Sequence, residues 1–584
     1  VACVSRGGIE RNVMPAKPWR DRSLTGIGPK LKGFKEKELE VIPSIELQKI
    51  KSKDVTELNE TCAPEKSLLL GDNSFEILDM GTNLTGFVGV QVWCRKNTRL
   101  FVTFDEILTE GDVDFTRMGC VNIVGYELEP GLYNLESFEP YTMKYVKLTV
   151  LEGDCEIRKV YLREYANPDV DGAQFSCGDR RLNAIFEAGR ETYKQNAVDI
   201  FMDCPSRERA GWLLDSLRTA TVEYDLTGAS RVARNYYENY LLAPQLEQLP
   251  AGMIPMCYPA DHCDGNFIPN WAMWFVIEID NYVQRSGDRE LADALKPKVT
   301  ALLDYFKGFE NEDGLLEDLE KWIFVEWSLA NRFVQNVNYP TNMLYAEMLD
   351  TAGRMYNRSD LTAKAKELRD TIRQQSYDGE FFVDNAVTKD GKLEVTRNRT
   401  ESCQDYAFYF NAATQETDAE LWKKLLTKFG PGRAKTGAYP EIYPANAMVG
   451  NWMRLELLSR YGLLRQLKEE FVDYYYYMAE RTGTMWENIG ATASCNHGFA
   501  SYVVHFLYRD FLGVRRIDQQ AKVVELRFGD VGLDWCEGKM PTPDGMVWVR
   551  WHRSEDKIRY RVDVPSGYKV LAECVGNIQA ARQW

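Results

Sequence analysis

The strongest constraint on this chain is a run of more than 300 residues with helical periodicity, flanked on both sides by short segments of strand-like alternation. The helical period starts at Asp179. Leu182, Ile185, Phe186 and the stretch Gly189 to Tyr193 recur at three- and four-residue spacing, with Asp179 positioned as an N-cap. Helical patterns follow at 227–242, 269–286, 296–307, 341–356, 361–375, 417–428, 446–479 and 498–512. A series of about a dozen helices with no strands alternating between them predicts an α/α barrel or a bundle of helical hairpins.

The flanks read differently. Val88, Val90, Val92 and Cys94 alternate with Gly89, Gln91 and Trp93; Leu100, Val102 and Phe104 repeat the pattern, as do Val146, Leu148 and Val150. Period-two alternation broken by turn residues predicts an antiparallel sandwich with one buried face. It returns after Gly513 at Val523–Leu526, Val547–Trp551 and Tyr560–Val564, with Asp544-Gly545 as a hairpin turn. Residues 1–53 carry 12 Lys/Arg against 6 Asp/Glu, with Pro15, Pro18, Pro29 and Pro43 interspersed. The expected organisation is therefore a basic extended lead-in or linker at 1–66, a β-sandwich at 67–168, a helical domain at 169–513 and a C-terminal β-sandwich at 514–584. The start at Val1, with no initiator Met and no signal-peptide h-region, reads as a processed or trimmed end, and the compartment stays open.

Charge and composition narrow the partners. A net charge of -16 repels phosphate backbones and argues against nucleic acid, while neutral sugars meet no such field. The 14 Trp and 31 Tyr supply rings on which the C–H faces of a sugar can stack. No 18-residue apolar run offers a membrane span. The 13 cysteines read as buried free thiols, and Cys257, His262 and Cys263 lack the second cluster that a zinc site needs, so no metal and no cofactor is expected.

The segment Asp203 to Asp215 concentrates chemistry: three carboxylates, Arg207, Arg209 and Trp212 within 13 residues. Spacing predicts a helix entrance, with Asp203 as cap, Pro205 in the first turn, and Glu208 and Asp215 on one face two turns apart. An ordinary solvated helix starts the same way. Downstream, Thr484-Met485-Trp486-Glu487 and Ser494-Cys495-Asn496-His497-Gly498 form a second candidate, although a satisfied structural histidine is the more common case for His497.

The first segment resembles the signature of the α-L-rhamnosidases of glycoside hydrolase family 78: Asp-Cys-Pro, a residue, Arg-Glu-Arg, then Gly-Trp and a final Asp, in the family's shorter variant. Thr484 to Glu487 is similar to the family's Thr-x-Trp-Glu, and Ser494 to Leu512 to its Ser-x-Asn-His and following helix. Asp79-Met80-Gly81, Leu84-Thr85-Gly86 and Phe138-Glu139-Pro140-Tyr141 resemble the preceding sandwich. The resemblance covers roughly residues 70 to 584. It implies a multidomain, mainly α fold: an (α/α)6 barrel flanked by N-terminal and C-terminal antiparallel β-sandwiches. It also implies inverting hydrolysis of terminal α-L-rhamnose from a glycoside or polysaccharide. Glu208 matches the general acid and Glu487 the general base. Asp203 and Asp215 match the acidic residues that hold rhamnose hydroxyls, Trp212 and His497 match sugar-contacting positions, and Arg207 lies where a polar substrate contact or an acid-tuning charge is expected. Trp327 matches a pocket-lining Trp, and Trp271 is a further candidate. Glu326 stands where the family has Asp, and the loop from Glu487 to His497 is shorter than in many relatives, which opens the question of the leaving-group subsite. A barrel glycosidase for another sugar, or a non-catalytic sugar-binding relative, are the alternatives; retention of both glutamates argues against the latter.

Overall fold

The computed structural model describes residues 1–15, 45–61, 67–120, 122–260 and 265–583. Nine strands make one hydrogen-bonded system: β1 (Ala2–Glu10), β2 (Lys51–Thr61), β3 (Leu68–Gly71), β4 (Ser74–Cys94), β5 (Thr98–Asp105), β6 (Ile123–Leu128), β7 (Gly131–Glu136), β8 (Tyr141–Glu152) and β9 (Asp154–Glu164). The long strand β4 is its spine. Its first half pairs with β1 and β8, its second half with β7 and β9, and the ladder to β8 slips between Asp79 and Leu84. The alternation read at Val88, Val90, Val92 and Cys94 is the buried face, with each side chain at 2% exposure or less. Full burial stabilises by about 1.5–3 kcal/mol per valine-sized side chain, enough to fix the register, since a one-residue slip would expose all four.

The expected lead-in over 1–66 is corrected by β1 and β2, which pair with each other antiparallel while β1 extends the sheet along β4. Cys3, Ser5 and Ile9 point inward, a period-two pattern that the basic and proline-rich composition obscures. Pro18, Pro29 and Pro43, on which the linker expectation leaned, lie outside the described residues. Cys3 is disulfide-bonded and Cys574 is exposed, two departures from the expectation of buried free thiols.

The helical region begins with Arg180–Asn196, where Asp179 caps the helix by accepting from the Arg181 N–H as expected. Five helix pairs follow: Asp215–Thr227 with Arg231–Leu242, Pro269–Ser286 with Arg289–Lys307, Tyr339–Tyr356 with Ser359–Ser376, Glu401–Tyr409 with Ala419–Lys428, and Gly450–Arg460 with Leu464–Thr482. The leading helix of a pair is buried around most of its surface, as in Asp215–Thr227, while its partner buries one stripe, as in Ala419–Lys428 with Leu421, Trp422 and Leu425. Gly228 ends Asp215–Thr227 at φ 66, and a Cβ there would sit 2.5 Å from the Pro541 carbonyl oxygen, so the turn requires glycine. The single helix expected over 446–479 is two, broken at Tyr461–Leu463 where Gly462 adopts φ 71. The last run changes from 3-10 (Gly498–Tyr502) through α (Val503–Phe506) to π turns (Leu507–Leu512), and it packs on Arg180–Asn196 where Gly189 leaves room for Val503 and Val504.

Strands do interrupt the helices, contrary to expectation. Strands β11 (Val337–Asn338), β12 (Asn385–Lys389) and β13 (Lys392–Val395) form a small sheet, with Asp390 and Gly391 both at positive φ in the β12–β13 hairpin. After Leu512, β14 (Val514–Asp518), β15 (Val523–Phe528) and β19 (Lys569–Cys574) make a three-stranded sheet. A five-stranded sheet combines β16 (Trp535–Thr542), β17 (Gly545–Ser554), β18 (Lys557–Asp563) and β20 (Gln579–Arg582) with β10 (Gln174–Cys177), which precedes the first helix. The β16–β17 turn is Pro543-Asp544, between the paired Thr542 and Gly545, one residue before the Asp544-Gly545 read from the sequence.

Candidate active site

The segment 203–214 is not a helix entrance. Helix begins at Asp215, and the residues before it form a loop closed on itself. The Asp203 N–H donates to the Ala210 carbonyl (3.0 Å), and the Ala210 N–H donates back to the Asp203 carboxylate (3.0 Å). Asp203 is therefore a loop clasp rather than a cap, and Glu208 and Asp215 share no helical face. Pro205 contributes no N–H to a helix, and Arg209 at φ 54 and Leu214 at φ 70 leave right-handed helical space. Gly211 lies so close to the 258–259 backbone that a Cβ would be 2.5 Å from the Tyr258 carbonyl oxygen. The strained end at Leu214 is held from below: Glu278, wholly buried, accepts from the Leu214 N–H (2.7 Å) and the Ser216 hydroxyl (2.6 Å).

The second loop is a hairpin whose base pairs Glu487 N–H with the Ser494 carbonyl (3.1 Å) and His497 N–H with the Met485 carbonyl (2.9 Å). Thr484 donates to the Cys495 carbonyl (2.6 Å), and Trp486 is buried with its indole N–H on Thr482 (2.8 Å), so these residues of the Thr-x-Trp-Glu run aim Glu487. The Gly498 N–H donates to the Asp203 carbonyl (2.6 Å) and joins the two loops.

Together they close a cavity of ≈ 120 Å³. Asp203, Arg207, Glu208, Trp212, Asp215, Trp271, Trp327, Glu487 and His497 all line it, across nearly 300 positions of sequence. Ile268, Trp322, Phe324 and Met448 line it too and were not anticipated; the aromatic spacing Trp322, Phe324, Trp327 was the available signal. Trp327 stands at the mouth at 40% exposure, edge-on to Phe324 with centroids 4.9 Å apart. Glu326 turns away. It is fully buried and accepts from the Asn446, Val449 and Gly450 N–H groups at the start of helix Gly450–Arg460.

Arg207 sits between the two glutamates, its Nη2 3.1 Å from Glu208 Oε1 and 3.2 Å from Glu487 Oε2, so these two oxygens lie at most 6.3 Å apart. The Trp212 indole N–H donates to the other Glu208 oxygen (2.8 Å). Arg209 points outward to Glu139 and the Pro140 carbonyl. Of the two arginines in the motif, only Arg207 touches the acid cluster.

Burial, and then the charge of Glu208, raise the pKa of Asp203 above the usual carboxylate range. Asp215 is pushed well up by burial and by the neighbouring carboxylates Asp203, Glu487 and Glu208. His497 is lowered to about 3 by burial and by Arg207, so its ring is neutral at physiological pH. Asp215 Oδ1 and His497 Nδ1 are 3.4 Å apart. Among the described residues that line the cavity, these two atoms, Trp271 Nε1 and Arg207 Nε are buried without a hydrogen-bond partner. Buried polar atoms left open cost ~1–3 kcal/mol each, and a polyhydroxyl ligand would satisfy them. His262 and Cys263, named in the zinc reading, lie outside the described residues.

Residues 171–511 match the family model described as the bacterial alpha-L-rhamnosidase 6 hairpin glycosidase domain, and residues 520–571 match the bacterial alpha-L-rhamnosidase C-terminal domain. The chain belongs to the bacterial α-L-rhamnosidase family. It is 21% identical over 535 residues to an alpha-L-rhamnosidase of Alteromonas sp. (strain LOR), covering 85% of this chain and 55% of that protein. To an alpha-L-rhamnosidase of Formosa agariphila it is 22% identical over 556 residues, covering 86% and 55%. The chain thus spans about half the length of these curated relatives. The fold is similar to that of a GH78 family rhamnosidase of Bacillus sp. GL1, with TM-score 0.80, 20% identity, and coverage of 94% of this chain and 60% of that one. It is also similar to a rhamnosidase from Klebsiella oxytoca with rhamnose bound, with TM-score 0.65, 15% identity, and coverage of 86% and 96%.

Proposed function

We propose that this chain is an inverting, exo-acting α-L-rhamnosidase that releases terminal rhamnose from glycosides or polysaccharides. The observation that carries the proposal is the convergence of two glutamates, two further carboxylates, a neutral histidine and a ring of aromatics on one small cavity. Glu208 is the general acid that protonates the leaving oxygen, and Glu487 is the base that activates water on the opposite face of the sugar. Arg207 orients both carboxylates. Asp203, Asp215 and His497 take the sugar hydroxyls, Trp212 and Trp271 bound the ring, and Trp327 stacks on the leaving group. A cavity of this size suits one sugar ring, which supports exo action. The finer architecture belongs to the same reading: an (α/α)6 barrel over 169–513 made of the five helix pairs plus Arg180–Asn196 with the final helical run, between sandwiches at 67–168 and 514–584, the first extended by β1 and β2.

Inversion needs room for a water, with carboxyl groups ~6.5–9.5 Å apart. The ceiling of 6.3 Å applies to the one pair of oxygens that Arg207 bridges, and inversion requires the two carboxyl groups as a whole to stand at the wider separation around bound substrate. A panel of nitrophenyl glycosides tests the substrate, with α-L-rhamnoside expected to be cleaved fastest. Proton NMR of the first-formed sugar tests the stereochemistry, and release of the α anomer would overturn inversion.

A further inference from the structure

The loop carrying Glu487 and His497 is anchored by side chains that lie outside the helical region. At the end of β5, Asp105 and Glu106 are 0% and 1% exposed. Arg117 reaches in from the following loop, with Nε on Asp105 Oδ2 (2.7 Å) and Nη2 on Glu106 Oε2 (2.7 Å). Its remaining nitrogen, Nη1, donates to the carbonyls of Ala493 (3.0 Å) and Ala491 (3.3 Å). Glu106 Oε2 also accepts from the Cys495 N–H (3.0 Å). Glu106 Oε1 accepts from Asn83 Nδ2 (3.0 Å), which in turn lies 3.3 Å from the Thr484 hydroxyl. Three backbone atoms of the segment between Glu487 and His497 are therefore held by one buried ionic cluster of the N-terminal sheet. Such a cluster is costly to desolvate and is a weak source of net stability, but it fixes geometry because each of its four carboxylate oxygens accepts at least one hydrogen bond.

We propose that Asp105, Glu106 and Arg117 are positioning residues for the reaction, setting where Glu487 stands relative to the sugar, so that the N-terminal sheet is part of the catalytic apparatus. The proposal rests on the assignment of Glu487 as the base. A displacement of ~1 Å in a reacting group can cost ~10²-fold in rate.

The test uses the full chain with Glu106→Gln and Arg117→Lys. Glu106→Gln keeps shape but sets an amide N–H₂ against one of two sets of donors. Arg117→Lys keeps charge and loses the fork that spans both carboxylates and both carbonyls. Each variant that melts cooperatively well above assay temperature is measured on a nitrophenyl and on an alkyl α-L-rhamnoside. The expected result is a fall in kcat of ~10–100-fold on both substrates alike with KM little changed, and no further fall when Glu106→Gln is added to Glu487→Gln. Three results would each overturn the proposal: full kcat in a folded Glu106→Gln variant, the same factor lost again in the Glu487→Gln background, or a deficit that shrinks on the nitrophenyl substrate. Full activity in Glu487→Gln alone would fell the base assignment and this proposal together, whereas an inactive Glu487→Gln beside a fully active Glu106→Gln fells only this one.

Discussion

The loops bearing Glu208 and Glu487 meet at one arginine, yet they are built from different parts of the molecule. The Glu208 loop closes on itself through Asp203 and Ala210, and is held from inside the helical region by Glu278 and by the 256–259 backbone. Among the described residues, its hydrogen bonds to the N-terminal sheet region come from Arg209, on Glu139 and Pro140 at the partly exposed edge. The Glu487 loop is pinned to that sheet by the buried Glu106 carboxylate and by Arg117, whose side chain is 9% exposed. The difference teaches that a self-closed loop can be encoded in a dozen adjacent residues, whereas a loop anchored from elsewhere needs side chains nearly 400 positions away.

The sharpest way to break the comparison is to remove each glutamate's proposed function in turn. Glu208→Gln keeps shape and loses the transferable proton, so activity should fall by ~10²–10⁴-fold on an alkyl rhamnoside and by much less on a nitrophenyl one. Glu487→Gln should lose activity on both substrates, since both need an activated water. Equal leaving-group sensitivity in the two variants would erase the division of labour.

Asp203→Asn probes the clasp through pH. Asparagine still accepts from the Ala210 N–H but cannot ionise. Folding raises the Asp203 pKa above its ordinary 3.8, so the native state holds that proton more tightly than the unfolded chain does. Wild type should then lose stability relative to the variant as pH rises past ~4, by ~1.4 kcal/mol per pH increment of one until the folded carboxyl itself ionises. Thermal melts of both proteins from pH 4 to 8 should show a gap widening in the variant's favour, while the variant loses the proposed rhamnosidase activity. A gap independent of pH would remove the charge cost from the account.

Glu278→Gln tests the internal anchor. One of the two donors now on the carboxylate, the Leu214 N–H or the Ser216 hydroxyl, would face an amide N–H₂, and a loss of ~1–3 kcal/mol in urea unfolding is expected. The smallest effect should come from Arg209→Ala. Its partner Glu139 is 60% exposed at the side chain, so ~0.2–1 kcal/mol is expected, fading with added salt. A fall in kcat comparable with that of Glu106→Gln would mean that both loops depend equally on the sheet.

Legibility follows the same division. The buried face of β4, the Asp179 cap, the β16–β17 hairpin (to within one residue) and most helix spans could be read because each depends on neighbours within a few residues. The helix drawn through Asp203 to Asp215 failed because caps and clasps use the same residue type, and only the Gly211 contact with the 258–259 backbone separates them. The β1 strand failed because basic and proline-rich composition outweighed a three-residue alternation. Arg117 carried no local signal at all.

The sequence by itself determined the order of sheet, helices and sheet, and the residue types of the site. Hydrophobic period is a local property, and the Asp203–Asp215 run is specific enough to read as a family signature. Tertiary structure alone decided that β10 joins the C-terminal sheet, that Glu326 serves a helix start instead of the cavity, and that Arg207 rather than Arg209 lies between the glutamates. Each of those outcomes is a choice among chemically equivalent partners, and only the packing of distant elements supplies the one that is within reach.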